Sequence, residues 1–215
     1  MAVITVERQI LKRNDEIAEE NRRTLNKHNI FSINLLSSPG SGKTALLEKT
    51  LKTLSGDYSI AVIEGDVQTD NDARRIDKLG IPVVQIITMG GCHLEAKLVQ
   101  GALVKFQLEK LKFIVIENVG NLVCPANYDL GENKKVVMVS TTEGDDKPLK
   151  YPAMFRVADV MIINKTDLLP YVDFSVEKVR QNALHINGNL EIFETSCKTG
   201  EGLADWINWI RGHLS

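Results

Sequence analysis

Ser37-Ser38-Pro39-Gly40-Ser41-Gly42-Lys43-Thr44 is the stretch that decides the fold of the chain. The apolar run at 31–36 before it predicts a buried strand, and the pattern at 45–54 after it predicts a helix. A glycine-containing loop between a strand and a helix is the setting in which this pattern holds phosphate groups. The sequence therefore predicts a phosphate-binding loop, although Ser37 stands where the usual pattern has its first glycine.

Each residue type in this loop suits a nucleotide with its Mg²⁺ ion. Backbone N–H groups and the positive end of the following helix attract an anion, and Gly40 and Gly42 let the backbone approach it. Lys43 is expected to reach the β- and γ-phosphates, and the Thr44 hydroxyl to ligate Mg²⁺. An ordinary turn does not explain a lysine in the first turn of a helix, where the dipole disfavours it. The predicted nucleotide contacts here are Pro39, Gly40, Ser41, Gly42, Lys43, Thr44 and Ala45.

Length, charge and cysteine count restrict the class of protein. A chain of 215 residues with a net charge of −2 can form one large core and offers no basic field for nucleic acid. No apolar run approaches the roughly 20 residues that span a bilayer, and charges throughout 1–20 exclude an apolar signal core. Three cysteines, an odd number, argue against a disulfide framework. We expect a cytoplasmic protein with no nucleic-acid or membrane partner.

Strands and helices alternate along the chain. After the first strand, further strands are expected at 58–64, 82–88, 113–116, 135–139, 160–163 and 190–193. Further helices are expected at 5–27, 70–79, 93–111, 174–186 and 203–213. This alternation predicts an α/β P-loop NTPase fold, with a mostly parallel seven-stranded sheet and helices on both faces. Ligands of such sheets bind where the strands end, and the unusual polar clusters of this sequence all lie at such ends.

The first helix is expected to stand apart from the nucleotide-binding part of the chain. Residues 1–28 are assigned to an amphipathic N-terminal helix and residues 29–215 to a P-loop GTPase domain. The apolar positions Ile10, Leu11 and Ile17 lie near one face, which favours packing on the core. An arm that binds a partner protein is the alternative interpretation.

Asn164-Lys165-Thr166-Asp167 follows an apolar strand late in the chain and predicts recognition of guanine. Asp167 can accept hydrogen bonds from guanine N1–H and its exocyclic amine, which adenine does not offer in that arrangement. Asn164 can hold the O6/N7 side of the base, and the stem of Lys165 can cover the ring. The alternative is a polar turn that starts the next helix.

A later loop is expected to present backbone N–H groups to guanine O6; it contains Ser196, Cys197 and Lys198.

Carboxylates after two other strands are expected to complete the Mg²⁺ site. Glu117 can hold Mg²⁺ through water, and the N–H of Gly120 can meet the γ-phosphate. Asp66 and Asp72 follow another strand, and we favour Asp66 because it is nearer to its strand; Asp72 can equally be a charge that favours the helix start. The expected catalytic set is thus Lys43, Asp66 and Glu117, with Mg²⁺ held by Thr44, Asp66 and Glu117.

Cys92 and His93 are adjacent at a strand end, and Cys124 follows the next strand. Thiolate and imidazole are ligands that suit Ni²⁺ or Zn²⁺. One chain supplies these three ligands, and two chains meeting at this loop would supply enough for a shared four-coordinate site. The alternative is that the Cys-His pair has a structural role and binds no metal.

The sequence resembles the nickel-incorporation GTPases of hydrogenase maturation, which belong to the SIMIBI class. The likeness extends over nearly the whole chain, and the Cys-His and Asn-Val-Gly-Asn-Leu-Val-Cys-Pro stretches are specific to that family. The stretches that carry it are 37–44, 64–66, 91–96, 117–125, 140–146 and 164–167.

The resemblance implies a GTPase of low turnover that forms a homodimer when GTP is bound. It implies a metal site at the dimer interface, built from Cys92, His93 and Cys124. It also implies delivery of Ni²⁺ to the large subunit of a [NiFe] hydrogenase, with a small zinc- and nickel-binding accessory protein as partner. Some members carry an N-terminal cysteine motif or histidine-rich tract, which this sequence lacks, so we do not expect nickel storage there.

Three other functions compete with a metal-moving GTPase switch. The urease accessory GTPase is similar but has a Cys-Pro-His arrangement, whereas Cys92 and His93 are adjacent here. A non-enzymatic module would hold structural zinc at the same ligands and use nucleotide only to stabilise its fold. A small-molecule kinase would use the same phosphate loop but would not need a guanine-recognition motif such as the one that ends at Asp167. Apart from Gln68, no residue is evidently placed to orient the attacking water, so slow turnover is expected.

Overall fold

A seven-stranded parallel sheet forms the centre of the molecule. A computed structural model describes residues 6–214, with side chains from residue 9 onward, so the predicted helix start at Thr5 lies outside the described residues. The order across the sheet is β3-β2-β4-β1-β5-β6-β7, and every pairing is parallel. The strands are β1 (Phe31–Ser37), β2 (Ile60–Asp66), β3 (Val83–Ile87), β4 (Phe113–Glu117), β5 (Lys134–Ser140), β6 (Val160–Asn164) and β7 (Glu191–Thr195).

Helices cover both faces of this sheet. They are α1 (Val6–Lys27), α2 (Lys43–Leu54), α3 (Asn71–Asp77), α4 (Ala96–Leu103), α5 (Lys147–Lys150), α6 (Pro152–Val157), α7 (Val176–Ile186) and α8 (Leu203–Leu214). Short 3₁₀ turns lie at Leu108–Lys110, Cys124–Asn127 and Thr166–Tyr171. The predicted α/β fold with seven strands is therefore confirmed, and the sheet is parallel throughout.

Successive side chains of the strands point to opposite faces, which builds a core on each side. In β2, Val62 packs in the core under α2, α3 and α8, while Ala61 and Ile63 pack under α1 and α4. Trp206 of α8 is almost fully buried, and its Nε1–H donates to the Thr50 hydroxyl of α2 at 3.0 Å. A separate core lies under α6 and α7.

Helix α1 packs on the sheet domain through its C-terminal two-thirds. Ile17 and Leu25 are buried, while Ile10 is 47% exposed. The amide of Asn21 donates to the carbonyl oxygens of Ala96 and Leu130 at 2.8 and 3.0 Å. The apolar face of this helix thus packs on the core. The division of the chain into two units at residue 28 stays a prediction.

One predicted helix is much shorter in the structure. The helix expected from 93 to 111 is wrong in extent, since α4 covers only Ala96–Leu103 and a separate 3₁₀ turn follows at Leu108–Lys110. Before α4, Glu95 is extended, with φ −109° and ψ 155°, which a helix does not allow. After α4, Phe106 and Leu108 pack against the core instead of continuing the helix. Within residues 6–214, no helix is long and apolar enough to cross a membrane.

Candidate functional site

The predicted phosphate loop connects β1 to α2 at the carboxyl edge of the sheet. Gly42 has φ 102°, a left-handed conformation that other residues rarely adopt. Ser37, which replaces the usual glycine, is fully buried, and its hydroxyl accepts from Ser41 Oγ at 2.6 Å and from Lys43 Nζ at 3.0 Å. The same hydroxyl donates to the carbonyl of Ser38 at 2.6 Å. Ser37 therefore holds the lysine over the loop, in a position that a glycine could not provide.

Two residues of the guanine-recognition motif contact the phosphate loop directly. Asn164 Nδ2 donates to the carbonyl of Ser41 at 2.9 Å, and Lys165 Nζ donates to the carbonyl of Gly40 at 2.7 Å. Because Asn164 ends β6 and the loop follows β1, these bonds join segments that are far apart in sequence. The motif thus stabilises the loop, and its contact with a guanine base stays a prediction.

A cavity of about 470 Å³ lies beside these contacts, where a base would be expected. The Asp167 carboxylate accepts from the Ser196 hydroxyl at 2.6 Å, which orients it. Cys197 Sγ lies 3.4 Å from Asn164 Oδ1, and burial raises the pKa of this thiol to about 11, so it is a neutral side chain of the wall. The lining residues are Gly42, Ala45, Asn164, Lys165, Asp167, Leu168, Cys197 and Lys198.

A second cavity, of about 420 Å³, lies over the phosphate loop and shares Gly42 and Ala45 with the first. It brings together the predicted residues Lys43, Asp66 and Glu117. The Thr44 hydroxyl, at the start of α2, donates to Glu117 Oε1 at the end of β4 at 2.9 Å, as expected for two ligands of one ion. The other predicted residues on its wall are Pro39, Gly40, Gly42, Thr44, Ala45 and Gly120.

Three carboxyl groups converge at this cavity: Asp72 and Glu117 line it, and Glu64 has an oxygen within 4.8 Å of both. Glu64 and Glu117 are both buried, and each keeps one oxygen with no hydrogen-bond partner among the described residues. Burial raises the pKa of both groups, and the charge of Glu117 adds to the effect on Glu64. Two buried carboxylates this close need a proton or a cation between them, so the residues present fit Mg²⁺.

The structure places Asp66 on the cavity wall but outside this carboxyl cluster. Its Oδ1 accepts from the backbone N–H groups of Gln68 and Thr69 at 2.9 and 2.7 Å, which stabilises the turn after β2. Burial opposes ionisation, but these bonds hold the pKa of Asp66 below its ordinary value. The geometry favours Asp72 over Asp66 as the direct neighbour of Glu117, and the role of Asp66 stays a prediction.

Sequence reasoning missed Arg75, which lines this cavity, and Glu64, which lies beside Asp72 and Glu117 on its wall. Glu64 lies inside the apolar strand β2, and a carboxylate at such a position is itself an indication of a site, because buried charges need a partner. Arg75 lines the cavity, but Glu48 accepts from its guanidinium at 3.0 and 2.6 Å, and Asp72 at 3.1 Å. No sequence signal distinguishes Arg75 from its neighbour in α3.

The predicted soft-metal residues also come together. Cys92, His93 and Cys124 have ligand atoms within 4.8 Å of one another, and Cys92 Sγ lies 3.5 Å from His93 Nδ1. The His93 ring lies 3.9 Å from the ring of Tyr128, and His93 Nε2 is buried without a hydrogen-bond partner among the described residues. Burial lowers the pKa of His93, so the imidazole is neutral and able to ligate. Two thiols and this ring fit Ni²⁺ or Zn²⁺.

The two thiol sulfurs lie within 4.8 Å of each other, and a hydrogen bond to Cys124 raises the pKa of Cys92 above its ordinary value. Asn121 Nδ2 donates to the carbonyl of Cys92 at 3.2 Å, so the loop after β4 holds the loop after β3. The sheet, the phosphate loop and the convergent carboxyl groups together define a P-loop nucleotide-binding protein.

Comparison with known proteins gives the family. The family model for the CobW/HypB/UreG nucleotide-binding domain matches residues 31–194. The hydrogenase maturation factor HypB of Azotobacter vinelandii is 50% identical over 208 residues, which cover 97% of this chain and 69% of that protein. The chain therefore belongs to the CobW/HypB/UreG family and, within it, to the hydrogenase maturation factors HypB.

Two solved structures of relatives share the fold. HypB from Archaeoglobus fulgidus is 42% identical with a TM-score of 0.89, and the match covers 95% of this chain and 100% of that one. HypB from Helicobacter pylori in complex with nickel is 41% identical with a TM-score of 0.89, and the match covers 94% of this chain and 95% of that one.

Proposed function

We propose that the protein is a GTP-hydrolysing metallochaperone, in which the bound nucleotide controls a nickel site. The observation that carries the proposal is that both sites use the loop after β4. Glu117 and Gly120 lie on the wall of the phosphate cavity, Asn121 holds Cys92, and Cys124 follows in the same loop. Contacts made at the γ-phosphate would order this loop and, with it, the metal ligands.

The carboxylate of Asp167 supports guanine as the base. Its oriented oxygens can accept the two N–H groups of guanine, and its cavity continues into the phosphate cavity through Gly42 and Ala45. GTP and GDP are therefore the proposed nucleotides, with Mg²⁺ held by Thr44 and Glu117. Mg²⁺ would supply positive charge at the phosphates, and Lys43 would turn from Ser37 to the β- and γ-phosphates.

Slow hydrolysis follows from the way the arginine at the cavity is held. Arg75 is the arginine on the cavity wall that could add to the charge of Lys43, but Glu48 and Asp72 bind its guanidinium. Gln68 is exposed in the turn that Asp66 stabilises, so its side chain is not held against the cavity. We expect turnover in the range of unassisted switch GTPases, on the order of 10⁻⁴ to 10⁻² per second.

The metal ligands favour a homodimer in the GTP-bound form. Cys92, His93 and Cys124 leave an ion short of the four ligands that Zn²⁺ takes. Exposed apolar side chains lie beside them in the sequence: Met89 is 89% exposed and Val123 is 60% exposed. A second copy of the chain would cover this apolar surface and complete the metal site.

The family name and the nickel complex of the Helicobacter pylori relative support the proposed cargo and client. The cargo is Ni²⁺, and the receiving protein is the large subunit of a [NiFe] hydrogenase. A small zinc- and nickel-binding accessory protein is the proposed partner in transfer. Zn²⁺ suits the same ligands, so metal content is part of the test.

One comparison tests the proposal: Ni²⁺ affinity and the mass of the protein in solution, each measured with GDP and with a non-hydrolysable GTP analogue. We expect the two nucleotides to give different Ni²⁺ affinities, and the analogue to give the dimer mass. Lys43→Ala should abolish both effects, because it removes the cation that meets the β- and γ-phosphates. Lys52→Ala, an exposed lysine of the same helix, is the matched control and should change neither.

Equal Ni²⁺ affinities and equal masses in the two nucleotide states would refute the switch and leave a metal-binding module with structural nucleotide. Transfer of the γ-phosphate to a metabolite would instead identify a kinase. Rapid multiple turnovers without a partner protein would also contradict the proposal.

A further inference from the structure

Asn118 lies between the nucleotide site and the metal ligands. It follows Glu117 directly and is almost fully buried. Its Oδ1 accepts from the backbone N–H of Leu94 at 3.1 Å and from that of Val119 at 2.9 Å. Leu94 is the residue after His93, so one side chain joins the end of β4 to the loop that carries two metal ligands.

The amide of Asn118 has a fixed orientation. Its Nδ2 donates to Asn34 Oδ1 at 3.2 Å, and Asn34 Nδ2 in turn donates to Glu132 Oε1 at 3.0 Å. Turning the amide over would place its N–H₂ group against the N–H of Leu94 and break the bond to Asn34. The acceptor that holds Leu94 is thus set by a buried chain of hydrogen bonds through β1.

Leu94 also connects the metal loop to β2. Its side chain is fully buried and lies against Gly65, where an added Cβ would be 2.8 Å from Leu94 Cδ1. Gly65 separates Asp66, which lines the phosphate cavity, from Glu64, whose carboxyl lies within 4.8 Å of those of Asp72 and Glu117. Movement at the end of β2 would therefore reach Leu94 through its packing on Gly65. Movement at the end of β4 would reach Leu94 through its hydrogen bond to Asn118.

We propose that Asn118 is a positioning residue that couples nucleotide state to the affinity of the Cys92–His93 loop for nickel. The inference rests on the proposed function and names the route by which that control operates. Ordering of the loop at Glu117 fixes Asn118, Asn118 fixes the Leu94 N–H, and the adjacent His93 is held in its ligating position. Coupling of this kind is reciprocal, so nickel must change nucleotide affinity by the same factor.

The test compares Asn118→Ala with Asn14→Ala. Asn14 is a matched control: it is also buried, and its Oδ1 accepts from the N–H of Ala96 at 2.8 Å, but it lies on α1 and its hydrogen bonds go to Ala96 and Asp129, neither of which lines the nucleotide cavity. Each variant removes a side-chain acceptor from one backbone N–H between His93 and the first turn of α4. The quantity measured is the ratio of the Ni²⁺ dissociation constants with GDP and with a non-hydrolysable GTP analogue.

We expect the wild-type ratio to differ from 1 by about 5-fold or more, the range of ordinary allosteric coupling. Asn118→Ala should bring the ratio to within about 2-fold of 1, whereas Asn14→Ala should weaken nickel binding equally in both states and keep the ratio. Asn118→Asp keeps an acceptor for the Leu94 N–H, so its ratio should stay closer to the wild-type ratio than that of Asn118→Ala.

A wild-type ratio of 1 would refute the proposed function itself. A wild-type ratio that persists in Asn118→Ala, or that Asn14→Ala abolishes as well, would refute the role of Asn118 alone. A second measurement on the wild-type protein applies even if Asn118→Ala does not fold. The Leu94 amide in ¹⁵N-labelled protein should gain hydrogen-exchange protection when the GTP analogue replaces GDP, and equal protection would overturn the inference.

Discussion

Asp167→Asn is expected to reverse the base preference of the protein. In the structure the Ser196 hydroxyl donates to Asp167 Oδ1 at 2.6 Å and accepts from the N–H of Thr199 at 3.1 Å, so its hydrogen is committed to Asp167. The new side chain will therefore keep its oxygen at that position and turn its N–H₂ group towards the base. The new N–H₂ group then faces an N–H group of guanine, with which it cannot form a hydrogen bond. Xanthine instead presents a carbonyl oxygen, which can accept from it.

The loss can be estimated from the bonds involved. One hydrogen bond to a charged acceptor, worth about 1.5–3 kcal/mol, disappears and leaves a buried N–H unpaired. A total of about 3 kcal/mol corresponds to roughly 100-fold weaker binding of GDP. Xanthosine diphosphate should bind the variant more tightly than it binds the wild type, since one donor–acceptor clash is removed.

The assay is a calorimetric titration of both proteins with GDP and with xanthosine diphosphate. Asp173→Asn, an exposed carboxylate near the end of the same segment, is the control and should bind both nucleotides as the wild type does. A GDP affinity of the Asp167 variant within about 3-fold of the wild type would refute guanine recognition by Asp167. An equal loss for the two nucleotides would show a change of loop structure instead.

Three further predictions concern stability. Asp129→Asn should cost about 1 kcal/mol at pH 7, because Asp129 accepts from Arg22 at 2.6 Å in a partly exposed pair. Burial opposes ionisation of Asp129, but Arg22 holds its folded-state pKa below the ordinary value; the stabilisation is therefore present above the unfolded-state pKa and lost as pH falls through the folded-state pKa. Urea unfolding at pH 7 and pH 3 should show the difference between the two proteins shrink, and an unchanged difference would contradict the assignment. Trp206→Ala should cost about 3–5 kcal/mol in the same assay through its lost burial and its lost bond to Thr50, and a cost below about 1 kcal/mol would argue against the packing of α8. Glu64→Gln should change stability by less than about 0.5 kcal/mol without Mg²⁺ at pH 7, because burial raises the pKa of Glu64 and keeps it neutral; a large loss would show that it is ionised.

The parts of the site that lie directly after strands could be predicted from the sequence. Thr44 and Glu117 are 73 residues apart, yet their side chains meet because the carboxyl ends of parallel strands share one edge of the sheet. The same rule brought Cys124 to the Cys92–His93 pair. Apolar runs predicted the central strands β1, β2, β4 and β6, since buried parallel strands are nearly continuous in hydrophobicity.

The parts that depend on side-chain direction could not be predicted. Asp66 is nearer to its strand than Asp72, but it turns to its own loop, and the first turn of α3 brings Asp72 to Glu117. The hydroxyl of Ser37 matters because Lys43 folds back onto it, which no pattern indicates. Helices α5 and α6 cover six residues or fewer, too short for a helical period to appear, and each has a proline in its first two positions.

The packing of α1 has a practical consequence for protein engineering. Shortening the chain to residue 29 would remove Asn14 and Asn21, which bond the backbone of Ala96, and would uncover the core where Leu25 lies. We expect the shortened protein to aggregate. Its metal affinity would be that of a Cys92–His93 loop that has lost its contacts with α1. Expression tags are therefore better placed away from this helix, and binding data from N-terminally shortened proteins describe a different molecule.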